Sequence, residues 1–395
     1  MDRHVYLDHA ATTFVKKEVL DEMLPYFAEK YGNASSLHRD GREARAAIDR
    51  ARSRTAGAIG ARDEEIIFTS GGTESDNLAI KGVAEAYEQK GRHIITTKIE
   101  HDAVLNTCEY LEKKGFEVTY LPVDEYGLVS PETLEKAIRS DTILISVMFA
   151  NNEIGTLEPI DKIGEIARAK NIIFHTDAVQ AVGSVPIDVE KMKIDMLSLS
   201  AHKIYGPKGT GALYVKKGIK LSPQSHGGAH ESKRRAGTEN VPGIVGLGKA
   251  IELAGANIGG YAERLRAMRE KLIRGIQENV SDVRLNGHPE KRLPGNANFS
   301  FEFIEGEALL LLLDMAGISS STGSACTSGS FKPSHVLSAI GLPAEIAQGS
   351  VRFTFGDANK EGDADYCIEQ IIKIVQRLRA MSPLFAQEKG MRKNV

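Results

Sequence analysis

The chain has 395 residues, 42% of them hydrophobic and 26% charged, with a formal net charge of −3 and a sequence pI near 6.4. That length and mix describe two or three domains with an extensive core and exclude disorder over most of the chain. The near-neutral balance argues against a dedicated nucleic-acid or anionic-membrane surface and favours small substrates. The start, Met1 to His9, has no apolar signal core, and the greasiest run, residues 308–313, is too short to span a bilayer. A cytoplasmic protein with no membrane association is expected.

In chain order, helical periodicity at residues 17–29 and 42–59 gives way to a strand at 65–69 and a helix at about 73–89. Further strands are predicted at 93–97, 117–121, 142–148, 172–175, 196–199 and 212–215, several separated by helix-like runs such as 160–170. This alternation predicts a mainly parallel sheet of α/β class. A charged helical stretch at 261–279 then leads to a second region with strands near 298–303 and 350–355. The expected domains are 16–260, a large ligand-binding unit, and 1–15 with 261–395, a smaller α+β unit. Residues 319–330 form a run of small residues around Cys326.

Two of the strands end in opposite charges. Residues 172–177 read Ile-Ile-Phe-His-Thr-Asp, and 195–203 read Asp-Met-Leu-Ser-Leu-Ser-Ala-His-Lys. Parallel strands present their carboxyl ends to one crevice, so Asp177 and Lys203 can face a single bound molecule. Pyridoxal 5'-phosphate (PLP) fits that pair: a lysine amine can form a Schiff base with its aldehyde, and an aspartate can keep its ring nitrogen protonated. At about 4 Å and an effective dielectric of about 20, such a pair is worth roughly 4 kcal/mol before desolvation. A lone lysine after a strand is more often simply solvated, so the reading depends on the other motifs.

The run Phe68-Thr-Ser-Gly-Gly-Thr73-Glu-Ser joins a strand to a helix through Gly71 and Gly72, with Thr73 expected to cap the helix and its free N–H groups expected to attract a phosphate. It lacks the spacing of GxxxxGK[ST], and no GxGxxG follows the first strand. The Gly237-Thr238-Glu-Asn240 loop, after Arg234-Arg235, is either another phosphate contact or a solvated turn. Glu100-His101, Asn151-Asn152-Glu153 and Gln180 also lie at strand ends. Each has a bland role as a cap or turn residue. Together they can supply a ring-stacking imidazole and amides for a phenolic oxygen. The three cysteines, Cys108, Cys326 and Cys367, are too few and scattered for a disulfide framework or a CxxC metal site.

These residues resemble the group I cysteine desulfurases, the NifS/IscS-like branch of the fold-type I PLP enzymes in the class V aminotransferase group. The resemblance runs from Tyr6-Leu-Asp-His-Ala-Ala-Thr-Thr13 to Met381-Ser-Pro-Leu384. It implies that Lys203 in Ser-Ala-His-Lys holds the cofactor and that Asp177 and Gln180 in His-Thr-Asp-Ala-Val-Gln serve its ring nitrogen and phenolic oxygen. His101 in Glu-His-Asp would stack on the ring and move protons, with Asn152 at the ring oxygen. Gly72, Thr73, Ser200, His202 and Thr238 fall on the phosphate side, and Thr238 would reach the neighbouring subunit's site in a homodimer. Asn33 and Arg352 match positions for the substrate carboxylate. Gly-Ser-Ala-Cys326-Thr-Ser looks like the catalytic cysteine loop. His9 stands where asparagine is more usual, and Ala229-His-Glu-Ser-Lys233 replaces a commoner Gly-Gln-Glu-Arg-Gly.

The implied activity is removal of sulfur from L-cysteine, giving L-alanine and a Cys326 persulfide for a sulfur-acceptor protein such as an iron–sulfur scaffold. No resident metal is expected, although Cys326 would transiently contact a cluster on such an acceptor. A selenocysteine lyase, another PLP aminotransferase and a non-enzymatic sulfur-relay scaffold are the alternatives.

Overall fold

The computed structural model describes residues 3–322, 334–383 and 385–387. After a short strand, β1 (Val5–Tyr6), come β2 (Ile66–Thr69), β3 (His93–Thr97), β4 (Glu117–Leu121), β5 (Thr142–Ser146), β6 (Ile173–Asp177), β7 (Met196–Ser200) and β8 (Gly211–Val215). β2 to β8 form one seven-stranded sheet in the order β2-β8-β7-β6-β5-β3-β4. The pairs from β7 through β4 are parallel, while β8 runs antiparallel to both β2 and β7. The mainly parallel sheet expected from the alternation is present.

The sheet is covered on both faces, which explains why its central strands are buried at every position and read as apolar runs. Successive residues feed opposite cores. Ile95, Ile145, Phe174 and Leu197 pack with helices Arg39–Ile59, Ile160–Ala169 and Val241–Gly255, whereas Ile94, Leu144, Ile173 and Met196 pack with helices Gly72–Tyr87 and Asp102–Glu112. Helix Val241–Gly255 was hidden in the sequence by its glycines. One of them, Gly248, lets the helix approach Ala51 so closely that a Cβ would sit 2.6 Å from its Cα.

The expected helix at 17–29 is two helices, Lys17–Met23 and Pro25–Ala28. Pro25 has no N–H with which to continue the first, but suits the opening turn of the second. β6 runs two residues farther than expected, so Asp177 is its last residue. β5 stops at Ser146, although Val147 and Phe149 still donate to the carbonyls of His175 and Asp177.

A second core is built on β9 (Val283–Asn286), β10 (Asn296–Phe301) and β12 (Ser350–Thr354), antiparallel in the order β12-β10-β9, while β11 (Ile318–Ser319) pairs with β1 in parallel. Phe299, Phe301 and Phe353 form its centre, closed by helices Ile258–Asn279, Gly306–Met315 and Glu361–Met381. Val5 and Leu7 belong to this core, so the next residues, 8–13, are carried along the seam between the two cores. Among the described residues no helix is long and apolar enough to cross a membrane.

Candidate active site

At the carboxyl ends of the parallel strands lies a cavity of about 310 Å³, a size suited to a small ligand. Asp177 enters it from the end of β6, and Lys203 from the short 3-10 turn Ala201–Lys203 after β7. Asp177 is 6% exposed, and its Oδ1 accepts the Val179 N–H at 2.9 Å. Burial raises its carboxyl pKa, against the opposing pull of the His101 and Lys203 charges and the Val179 N–H.

The Lys203 ammonium donates to the carbonyls of Ala10 and Ala11, the latter at 2.9 Å, and Gln180 Nε2 donates to Ala10 O at 3.0 Å. The N-terminal segment is thus a wall of the site. His101 caps helix Asp102–Glu112: its Nδ1 accepts from Ala103 N at 3.0 Å, so the other ring nitrogen carries the hydrogen, and the imidazole lines the cavity.

Gly72, Thr73, Ser200 and His202 line the same cavity. Here one expectation needs correction. Thr73 does not cap the helix; the cap is Gly71, in an extended positive-φ conformation (φ 153°, ψ −177°) that is essentially restricted to glycine, and Thr73 sits within the first turn. A Cβ on Gly72 would lie 2.7 Å from Val179 Cγ2, so the backbone can come this near only as glycine. The result is a helix start with open N–H groups beside Ser200. His202 Nδ1 is 3.1 Å from Thr12 Oγ1, and burial with the nearby Lys203 and Lys208 charges pushes its pKa down to about 4, so it is neutral at pH 7. Arg235, just before the Gly237–Asn240 loop, pairs with Glu74 in the helix's first turn at 2.8 Å.

Arg352, on β12, is 2% exposed and lines the same cavity beside Asn152. Its Nη1 donates to Asn152 O at 2.8 Å and its Nη2 pairs with Asp8 at 2.9 Å, while Nε is buried without a partner. Asn33 and Thr238 are exposed and do not line this chain's cavity. Asn33 accepts from Ser35 N at 2.9 Å. Cys326 lies outside the described residues, but the chain on either side of its segment is anchored at the cavity. Ser321 exchanges backbone hydrogen bonds with Arg352, Ser334 Oγ donates to Glu153 at 2.6 Å, and His335 Nε2 donates to Glu100 O at 2.9 Å.

Of the two departures in sequence, His9 lies behind the site. Its Nδ1–H donates to Thr354 O at 2.9 Å between Tyr6 and Tyr205, and burial lowers its pKa. In the other, Glu231 accepts a bidentate pair from Arg52 at 2.8 and 2.9 Å and the Phe68 N–H. Glu231, Ser232 and Lys233 all have positive φ, and these bonds offset that strain.

Sequence reasoning assigned no role to Asp8, although it quoted the motif that contains it, nor to Asp76, which lines the cavity from inside helix Gly72–Tyr87. An acid near a helix start is ordinary, so Asp76 gave no signal.

The chain belongs to the aminotransferase class-V family, whose pattern it matches over residues 5–367. It is similar to a protein named cysteine desulfurase IscS from Methanosarcina thermophila, 59% identical over 98% of this chain and 96% of that one. Another of that name from Dictyoglomus turgidum is 57% identical over 97% of each. Among solved structures, one titled NifS-like protein superposes with a TM-score of 0.90 at 42% identity, covering 95% of this chain and 100% of that one. A second, titled SspA in complex with cysteine, has a TM-score of 0.79 at 42% identity over 89% and 98%.

PLP is the cofactor of this family, and the residues present fit it. A buried carboxylate, a lysine and a glycine helix start with unfilled N–H groups line one cavity.

Proposed function

We propose that the chain is a PLP-dependent cysteine desulfurase that converts L-cysteine to L-alanine and leaves the sulfur on Cys326 as a persulfide. The observation that carries this reading is the meeting of Lys203, Asp177, His101 and Arg352, from four separate segments, at one cavity. When bound, PLP supplies an aldehyde that links to amines and a protonated ring that accepts an electron pair. Asp177 holds that ring nitrogen protonated, and Gly72, Thr73, Ser200 and His202 receive the phosphate. Lys203 would remove the Cα proton of the bound substrate, and His101 would move protons beside the ring. Arg352 turns its fork toward the substrate carboxylate, exchanging Asp8 for it.

The Cys326 thiolate then attacks the substrate sulfur. The Cβ–S bond breaks and an S–S bond forms; Cβ takes the electron pair and a proton, and the sulfurs are oxidised to the persulfide level. The acceptor is a separate protein, such as an iron–sulfur scaffold.

The test is quantification of alanine and sulfide from L-cysteine with a reductant. Wild type should yield both in equal amounts. Arg352→Ala should lose roughly 10- to 100-fold in kcat/KM, from the loss of a charge-assisted fork, while keeping its cofactor. A keto acid product in place of alanine would defeat the reading.

We also propose a homodimer in which Thr238 completes the partner's phosphate site. Its exposure, and its absence from this chain's own cavity, support the idea. Mixing inactive Lys203→Ala chains with inactive Thr238→Ala chains should restore activity in heterodimers, since one site then carries neither defect. Verified heterodimers no more active than either parent would exclude sharing.

A further inference from the structure

Beside Asp177 the cavity holds a second carboxyl group that the proposed reaction does not use. Asp76 is 1% exposed and lines the same cavity. Its Oδ1 has no hydrogen-bond partner and lies 3.7 Å from His175 Nε2. The imidazole offers no counter-charge: its nitrogens are 2.9 Å from Ser146 Oγ and 3.0 Å from Ser198 Oγ, and burial pushes its pKa down to about 3.

The titratable groups around Asp76 are Asp177 and His175 on β6, Glu100 and His101 beyond β3, Lys203 after β7, and the Cys108 thiol on helix Asp102–Glu112, packed against the same core. Glu100 is itself pushed up to about 8 by burial, so it adds no charge at pH 7.

Two buried carboxyl groups lining one cavity repel each other's charge, so ionisation of one disfavours ionisation of the other. The partners decide which keeps its proton. Asp177 faces the His101 and Lys203 charges and accepts the Val179 N–H. Asp76 has the Ser198 hydroxyl, while burial and the Asp177 charge drive its pKa well above the usual carboxylate range.

We propose that Asp76 is a positioning residue of this site, a neutral carboxylic acid that confines the pocket's negative charge to Asp177. One charge then matches one protonated ring nitrogen, an assignment that rests on the PLP reading above.

The sign of the pH effect follows. The stability contributed by protonated Asp76 is fully present below its unfolded pKa of about 3.9 and is lost as pH rises toward its raised folded value. As pH rises from about 5 toward that raised value, the melting temperature of the wild type should therefore fall relative to Asp76→Asn by on the order of 2 °C per pH unit. Glu100 is common to both proteins and cancels.

The direct test is infrared difference spectroscopy on the full-length protein at pH 7, together with PLP affinity. Beside the band of protonated Glu100, common to all three proteins, a second buried protonated-carboxyl band should disappear in Asp76→Asn and persist in Asp177→Asn. Asp76→Asn should bind PLP within about 3-fold of wild type, and Asp177→Asn should lose about tenfold or more, the weight of roughly one charged hydrogen bond. A band unchanged in Asp76→Asn, parallel pH slopes, or equal loss of PLP from both variants would overturn the proposal. The infrared result as expected, with PLP bound by none of the three proteins, would leave the proton assignment standing and overturn the cofactor reading.

Discussion

Lys203→Ala is expected to lower kcat for alanine formation by at least about 10³-fold, the scale of a lost general base, while the protein still binds PLP. Among the described residues Lys203 is the only lysine lining the cavity. The nearest alternatives are committed elsewhere: Lys16 pairs with Asp357 at 2.8 Å, and Lys208 donates to Thr13 O at 3.4 Å. Neither lines the cavity. Borohydride should therefore fix the cofactor covalently to the Lys203 peptide in the wild type and leave it extractable in the variant. Binding should persist through Asp177 and the start of helix Gly72–Tyr87, but more weakly, because Asp177 loses one of the two cations that offset its burial. A borohydride adduct on another lysine, or turnover within tenfold of wild type, would remove Lys203 from the mechanism.

The residues that make this site were legible because parallel strands announce their ends. β3, β6 and β7 are apolar runs that stop in polar groups, so His101, Asp177 and Lys203 could be placed at one edge before any coordinates. What could not be read were contacts between distant segments. That Ala10 and Ala11 turn their carbonyls on Lys203 depends on Val5 and Leu7 being packed in the second core, and two-residue strands such as β1 and β11 have too little pattern to detect. Thr73 was misread as a cap because its hydroxyl suits the role. The chain instead uses the conformational freedom of Gly71, and the threonine falls one step into the helix. Asp8 on Arg352 was equally invisible, being a contact across 344 residues. Asp8 keeps the buried guanidinium paired before substrate arrives, and that pair is what the substrate carboxylate exchanges with.

The sulfur-carrying step can be narrowed by the chemistry of the other two thiols. Cys108 and Cys367 are both wholly buried in apolar cores, and burial pushes their pKa values up, that of Cys367 to about 12 and that of Cys108 higher still. At pH 7 a thiol of pKa 12 is ionised in only about one molecule in 10⁵, and only the thiolate is a useful nucleophile. Neither can move to the cavity without dismantling its core. Cys326→Ser should therefore retain the cofactor's visible absorbance and its change on adding L-cysteine, yet form alanine more slowly by a factor on the order of 10² or more. Cys108→Ala and Cys367→Ala should each cost about 1 kcal/mol of stability and leave kcat unchanged. After a single turnover, mass spectrometry should find the added sulfur on the peptide bearing Cys326. Wild-type alanine production by Cys326→Ser, or a persulfide on Cys108 or Cys367, would show that sulfur leaves the substrate by another route. The assignment of the PLP site would stand after that result, because Asp177 is placed by the end of β6, Lys203 by the turn after β7 and the Ala11 carbonyl, and His101 by the Ala103 N–H.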